Sequence, residues 1–295
     1  LDRFEELRRN LDKTNMVGIE IGPFYSPVAP KFDGWKTIVI DFQDGDALRS
    51  VARDHSVEAI RAKVSQIEDV DIVWQGDPLD DLALVRRPEG YDYFIASHVI
   101  EHTPDILSFL QQVSRLLRET GVISLAVPDM RKCFDLFKPA SSIREVLTAY
   151  REKRVRHTPE TLFEARALSV NRNGLGSWLA GSTAPLAFTG NFDHAWRSYQ
   201  QDVASLDARY IDAHAWFFTP ASFELLILEL NYMRLLDVSI TSLVESHGSE
   251  FIVQLRKTPA IQISLADFNT KRLALSRQQA VEYASEAVGA PQQPA

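Results

Sequence analysis

The chain has 295 residues, 45% of them hydrophobic, which suffices for one large core or for a core carrying an inserted subdomain. Its formal net charge of -8 disfavours nucleic acid and anionic membrane surfaces as partners, since both call for basic patches. The one cysteine, Cys133, rules out an internal disulfide and a CxxC metal site, and fits a reducing, cytoplasmic compartment. No apolar run approaches the roughly 20 residues of a membrane span, and no signal peptide is visible. The start at Leu1 rather than Met points to a piece of a longer polypeptide.

Residues 1–12 read as a short charged helix. The run VGIEI at 17–21 is a buried strand ending at Gly22, and Pro23, Pro27 and Pro30 argue against a regular helix directly after it. TIVID at 37–41 is a second strand, 46–54 a helix, 71–74 a short third strand and 91–96 a fourth. Over 104–118, Ile106, Leu107, Leu110, Val113, Leu116 and Leu117 recur at helical spacing, with Thr103 as the N-cap and Pro104 in the first turn. Gly121 turns the chain into a fifth strand at 122–127. Strands and helices alternating at these lengths predict an α/β fold, a parallel sheet with helices on its faces.

The alternation then stops. Residues 131–213 contain no convincing strand; 141–153, 159–170 and 193–210 read as helices, and Gly174, Gly176 and Gly181 mark a loop-rich stretch. A helix at 221–232 follows, then strands at 235–243 and 250–256 whose short connection suits a hairpin and an antiparallel edge. Residues 264–287 read as a helix and the ending APQQPA as a flexible linker. The organisation expected is a core of 1–130 and 214–258, a helical lid or substrate insertion at 131–213, and a C-terminal helix with a flexible tail at 259–295.

The segments GIEIGPFYSP, TIVIDF, FIASHVIEHTPDILSFLQQVSRLLRETGVISLAVPD, HAWFFTPASFELLILEL and EFIVQLRK cover most of 15–129 and 214–257. Through them the chain resembles the class I S-adenosylmethionine-dependent methyltransferases, and among these the bacterial members associated with saccharide and polysaccharide biosynthesis. The SHVIEH-to-VPD block carries most of the resemblance; the glycine motif alone is weak. The resemblance implies a Rossmann-like sheet, mostly parallel, with an antiparallel C-terminal hairpin and a helical insertion. It implies S-adenosylmethionine as cofactor, S-adenosylhomocysteine as product, and a small-molecule or saccharide acceptor. By position it sets Glu20 near the cofactor's amino-acid end, Gly22 and Pro23 against its methionine portion, and Asp41 on the ribose hydroxyls. Asp77 then receives the adenine amino group, and Ser97 lies near the methyl group. The family loop has a second glycine two positions after Gly22, where this chain has Phe24.

In an open α/β sheet, ligands bind at the carboxyl ends of the strands. Methyl transfer is an in-line displacement that depends on alignment. A hydroxyl acceptor also loses a proton, which a histidine or carboxylate within hydrogen-bond reach can take. By position His98 is the first candidate base and Asp129 the second, while Asp193, His194 and His214 flank the insertion. Plainer roles stand beside these. Glu20 and Gly22 can be an ordinary strand end, Asp41 a helix cap, Asp77 an acidic turn with Asp80 and Asp81, and His98 a structural histidine. Glu101-His102 lacks the i, i+4 spacing of a helical metal pair, and no metal site is expected. Arg151, Lys153, Arg154, Arg156 and His157 are either a solvated helix end or a grip on an anionic acceptor. Trp178, Phe188, Phe192, Trp196 and Tyr199 are either sugar-stacking rings or the insertion's small core. The reading is O-methyl transfer to a sugar-like acceptor. The alternatives are another small metabolite or a protein as acceptor, or a non-catalytic module of a larger polypeptide.

Overall fold

The computed structural model describes residues 2–205, 209–245, 248–259 and 261–287. A short helix α1 (Arg3–Leu7) precedes the strands β1 (Val17–Ile21) and β2 (Lys36–Asp41). Helices α2 (Gly45–Arg53) and α3 (Glu58–Arg61) lead to β3 (Ile72–Val73), and α4 (Leu79–Leu84) leads to β4 (Tyr91–Ser97). Helix α5 (Ile106–Leu116) runs directly into the long strand β5 (Leu117–Pro128). The insertion contains α6 (Ile143–Glu152), α7 (Pro159–Ala167), β6 (Val170–Arg172), β7 (Leu186–Phe188) and α8 (Phe192–Ala204). The chain closes with α9 (Pro220–Tyr232), β8 (Val238–Glu245), β9 (Glu250–Lys257) and α10 (Leu265–Ala287).

The main sheet has seven strands in the order β3-β2-β1-β4-β5-β9-β8. Strands β1 to β5 are mutually parallel, and β9 is antiparallel to both of its neighbours. This is the Rossmann-like sheet implied by the resemblance, with its antiparallel C-terminal hairpin. The antiparallel strand is not at the edge, however. β9 inserts between β5 and β8, and β8 takes the edge. β9 earns that inner place by composition: Glu250 to Gln254 are buried, whereas β8 carries half-exposed residues along most of its length.

β1 and β4 sit at the centre, covered on both faces, so their runs read as continuously apolar rather than alternating. Tyr93 of β4 lies flat across Gly18 of β1 and bonds through its hydroxyl to Thr37 Oγ1 on β2 at 2.7 Å. A Cβ on Gly18 would stand 2.2 Å from the Tyr93 ring.

Three expectations change. The N-cap of α5 is Asp105, whose carboxylate accepts the Ser108 N–H at 3.0 Å; Thr103 instead closes a 3-10 turn over Ile100–His102 through a bond to the Ile100 carbonyl. The insertion does contain strands: β6 and β7 pair antiparallel, but at three residues each they are too short to show a period in sequence. The predicted helix at 193–210 ends at Ala204. Residues 206–208 of that reading, 246–247 of the hairpin connection and the APQQPA tail lie outside the described residues. Helix α10 docks on α9, stacking Phe268 on Tyr232 at 3.7 Å and accepting the Ala221 N–H with Glu282. Among the described residues no helix is long and apolar enough to cross a membrane.

Replacing Gly18 by Ala should destabilise the protein by about 1–3 kcal/mol, because Tyr93 cannot move without breaking its bond to Thr37. Equilibrium urea unfolding measures this; an unchanged midpoint would show that the ring relocates at no cost.

Candidate active site

The strand order reverses at β1, with β2 on one side and β4 on the other, so the carboxyl ends of these strands flank a crevice. The turn leaving β1 is left-handed at Gly22 (φ 65°), and its N–H donates to the Ile40 carbonyl at 2.8 Å, lacing the turn to the end of β2. A Cβ on Gly22 would close to 3.1 Å from Val99. Pro23 follows, buried. Phe24 is left-handed too (φ 43°), so the backbone keeps a shape that glycine favours although the residue is not glycine. Its ring packs beside Leu48, Ala52 and Ile67, which offsets the strain.

Asp41 ends β2, buried, with Oδ1 accepting the Phe42 N–H at 2.8 Å. Burial raises its pKa to about 6, against the opposing pull of the Phe42 and Gln43 N–H groups. Glu20 is fully enclosed, and its two oxygens accept the Val28 and Ala29 N–H groups at 2.6 and 2.8 Å. Here the carboxyl ties down the loop after β1. Burial pushes its pKa up to about 7 despite those bonds. Asp77 is exposed, and its carbonyl accepts from Trp74 Nε1 at 2.7 Å.

Beyond β4, Ser97 Oγ accepts from Arg3, which also clasps Glu250 at 2.7 Å. His98 has φ 54° and holds Nε2 at 2.8 Å from Glu250, with Nδ1 3.6 Å from Glu101. Burial alone would lower the His98 pKa, but the carboxylates of Glu101 and Glu250 outweigh it and raise it to about 9. A raised pKa favours the protonated imidazole, which donates hydrogen bonds. Asp129, the other candidate base, is enclosed. It has no exposure, and its oxygens face Arg131 at 2.6 and 2.8 Å and Lys132 at 3.3 Å. Its carboxylate neutralises two buried cations and is not offered to an acceptor.

Two cavities lie between the sheet-bearing part and residues 131–213, and the smaller adjoins the strand ends. One, of about 360 Å³, is bounded by His98, Glu101, His102, Phe134, His214 and Ser249. The other, of about 590 Å³, lies between α6, α7 and residues 215–217. Arg154 and His157 from the basic run line the larger one, among Glu145, Glu160 and Glu164. Burial lowers the His157 pKa to about 4, so this histidine adds no positive charge at neutral pH. Trp178 is buried with Leu136 and Val170 in a small core, whereas Phe192, Trp196 and Tyr199 cluster on Phe163 between α7 and α8 with Phe192 and Trp196 exposed, as is Phe188. Asp193 and His194 are exposed on α8 and line neither cavity. Arg3, Asp135, Asp212 and Glu250 were not singled out from sequence. Their partners lie tens to hundreds of residues away, and no local spacing announces them.

No protein-family model and no curated protein matches the chain. Among solved structures it is similar to the mitomycin 7-O-methyltransferase MmcR, at 10% identity and TM-score 0.38, over 86% of this chain but 53% of that one. It is similar to the CcbJ methyltransferase from Streptomyces caelestis, at 12% identity and TM-score 0.43, over 87% of this chain and 89% of that one. It is also similar to a protein from Listeria monocytogenes described as an S-adenosylmethionine dependent methyltransferase, at 10% identity and TM-score 0.41, over 86% and 97%. The α/β class rests on the strand order itself.

Two outcomes follow from these burials. Asp129→Ala leaves Arg131 and Lys132 only the half-exposed Glu245 as counter-ion and should cost about 3 kcal/mol of stability in chemical unfolding; a fully stable variant that lost only turnover would favour Asp129 as the base. Glu20 keeps its proton to higher pH in the folded protein than in the unfolded chain. Its contribution is therefore complete below the ordinary carboxyl pKa and lost as pH rises through about 7. The stability difference between the parent and Glu20→Gln should thus be larger at pH 4.5 than at pH 8, by on the order of 2 kcal/mol; equal differences would mean that Glu20 is ionised throughout.

Proposed function

We propose that the chain is an S-adenosylmethionine-dependent methyltransferase acting on a small molecule, with a hydroxyl of a saccharide-like compound as the acceptor. The observation that carries this reading is the juxtaposition, at the carboxyl ends of β1 and β2, of the left-handed Gly22–Phe24 turn and the buried Asp41, tied by the bond from the Gly22 N–H to the Ile40 carbonyl. A turn without a Cβ admits a ligand's backbone-like portion closely, and a carboxylate one strand away accepts two vicinal hydroxyls. That pairing suits a nucleoside bearing an amino-acid arm. Pro23 stiffens the turn, Asp77 lies at the far side after β3, and Ser97 lies at the near side after β4.

S-adenosylmethionine, when bound, supplies the activated methyl group. The chain's own residues do the rest. The cavity of about 360 Å³ beyond β4 admits an acceptor of a few rings' size next to that position. His98, held by Glu250, forms part of its wall. Residues 131–213 wall the other side through Phe134 and Ser177, which excludes water and fixes the acceptor's approach. The saccharide class is supported by the resemblance of the SHVIEH-to-VPD block.

Calorimetric titration should detect S-adenosylmethionine binding at micromolar concentration, and Asp41→Ala should weaken it roughly 10–100-fold through loss of charged hydrogen bonds. No binding at high micromolar ligand would leave the non-catalytic module as the better reading. Since Asp41 takes up a proton near pH 6, affinity should fall as pH drops from 7.5 to 5 and stay flat in Asp41→Asn. An unaltered pH profile in that variant would remove Asp41 from the ribose.

A further inference from the structure

Glu101, His102 and His214 converge on the smaller cavity, and their ligand-capable atoms all lie within 4.8 Å of one another. Three features set this group apart from an ordinary polar cluster. First, both oxygens of Glu101 are buried without a hydrogen-bond partner, although the residue has no exposure at all. The nearest nitrogens, His98 Nδ1 at 3.6 Å and His102 Nε2 at 3.8 Å, stand beyond bonding distance. An enclosed carboxylate in that condition is expensive unless a cation completes it. Second, each histidine has its Nδ1 taken by a carboxylate: His214 by Asp135 at 2.7 Å and His102 by Asp212 at 2.8 Å. A carboxylate on Nδ1 fixes the tautomer with its hydrogen there and turns the Nε2 lone pair outward, the arrangement that supports histidine ligands to metals. Third, the two rings meet edge to face with centroids 4.6 Å apart, which brings both remaining nitrogens to one place.

We propose that Glu101, His102 and His214 form a binding site for a first-row divalent cation, open on one side to the acceptor cavity. Two imidazoles and one carboxylate favour zinc, manganese, iron or cobalt over calcium or magnesium. Bonds of about 2.0–2.2 Å are reached from the present spacing by small side-chain rotations. The three ligands come from the turn after β4 and from the segment before α9, so they leave the remaining coordination positions on the cavity side. An acceptor oxygen can occupy one of them. A divalent ion held there would favour the deprotonated form of a bound acceptor hydroxyl, the proton passing to solvent water through the open side of the cavity. This last step rests on the methyltransferase reading; the cation site itself does not. The i, i+4 rule failed to flag the site because Glu101 and His102 are adjacent on a 3-10 turn and the third ligand lies more than a hundred residues on.

The probe is cobalt(II) chloride added to chelator-treated full-length protein. One equivalent should bind, with visible d–d absorption that zinc displaces. His102→Ala and Glu101→Gln should each weaken binding at least tenfold, and Asp212→Asn, which neutralises the exposed carboxylate shared by His102 and Tyr210, should weaken it roughly 10-fold. Far-ultraviolet circular dichroism confirms that each variant is folded, and His214→Ala serves where another is not. Absence of stoichiometric cobalt binding by the parent protein would overturn the site, as would unchanged affinity in the folded variants. S-adenosylmethionine calorimetry on the same preparations separates the two readings. Cofactor binding without cobalt binding sinks the cation site alone, and cobalt binding without cofactor binding sinks the methyltransferase reading alone.

Discussion

The contact on which the rest of the molecule depends is Tyr93 lying over Gly18. It spans three central strands, because the ring of a β4 residue rests on β1 while its hydroxyl bonds to Thr37 on β2. Parallel strands carry no hairpin to set their register. A ring that fits only over a residue without a side chain supplies that register instead. With β2, β1 and β4 locked, the Gly22 turn, Asp41 and Ser97 end at one level, and the crevice exists as a consequence.

Around that crevice the protein buries charge in connected sets. Asp129 serves Arg131 and Lys132; Asp135 serves Lys138 and His214; Glu250 serves Arg3 and His98. Glu250 joins β9 to α1 and to the end of β4, and Asp135 joins the segment after β5 to His214 before α9, so these parts are attached by directional contacts as well as by apolar burial. Such pairs contribute little net stability but penalise any misplacement severely, since a slipped partner leaves a buried charge alone. Glu101 is the exception, a buried carboxylate whose neighbours stop short of it.

The sheet was legible because its strands are apolar runs separated by helices of ordinary length, and periodicity reports just that. Gly22, Asp41 and Ser97 could be located at strand ends because the ends of apolar runs are visible in sequence. Asp129 and Glu20 also stand at or near strand ends, yet what they face depends on chain far away: Arg131 folded back in a 3-10 turn, and the Val28–Ala29 amides. His98 reads as a candidate base in sequence, and the carboxylates that raise its pKa are Glu101, three residues on, and Glu250, 152 residues on. The cap of α5 shows the same limit at short range. Asp105 and Thr103 are both good caps, and the choice was made by the turn at 100–102, which had already claimed Thr103.

The web linking Arg3, His98 and Glu250 joins residues up to 247 positions apart. Contacts of such separation bear a large loop-closure cost and are favourable only once the intervening sheet has assembled. The side chains around His98 are therefore among the last parts of the molecule to be organised during folding. A chain arrested with β1 to β5 paired would carry the crevice at the ends of β1 and β2 but not the cavity beside it, whose wall His214 and Ser249 complete only when the C-terminal elements dock.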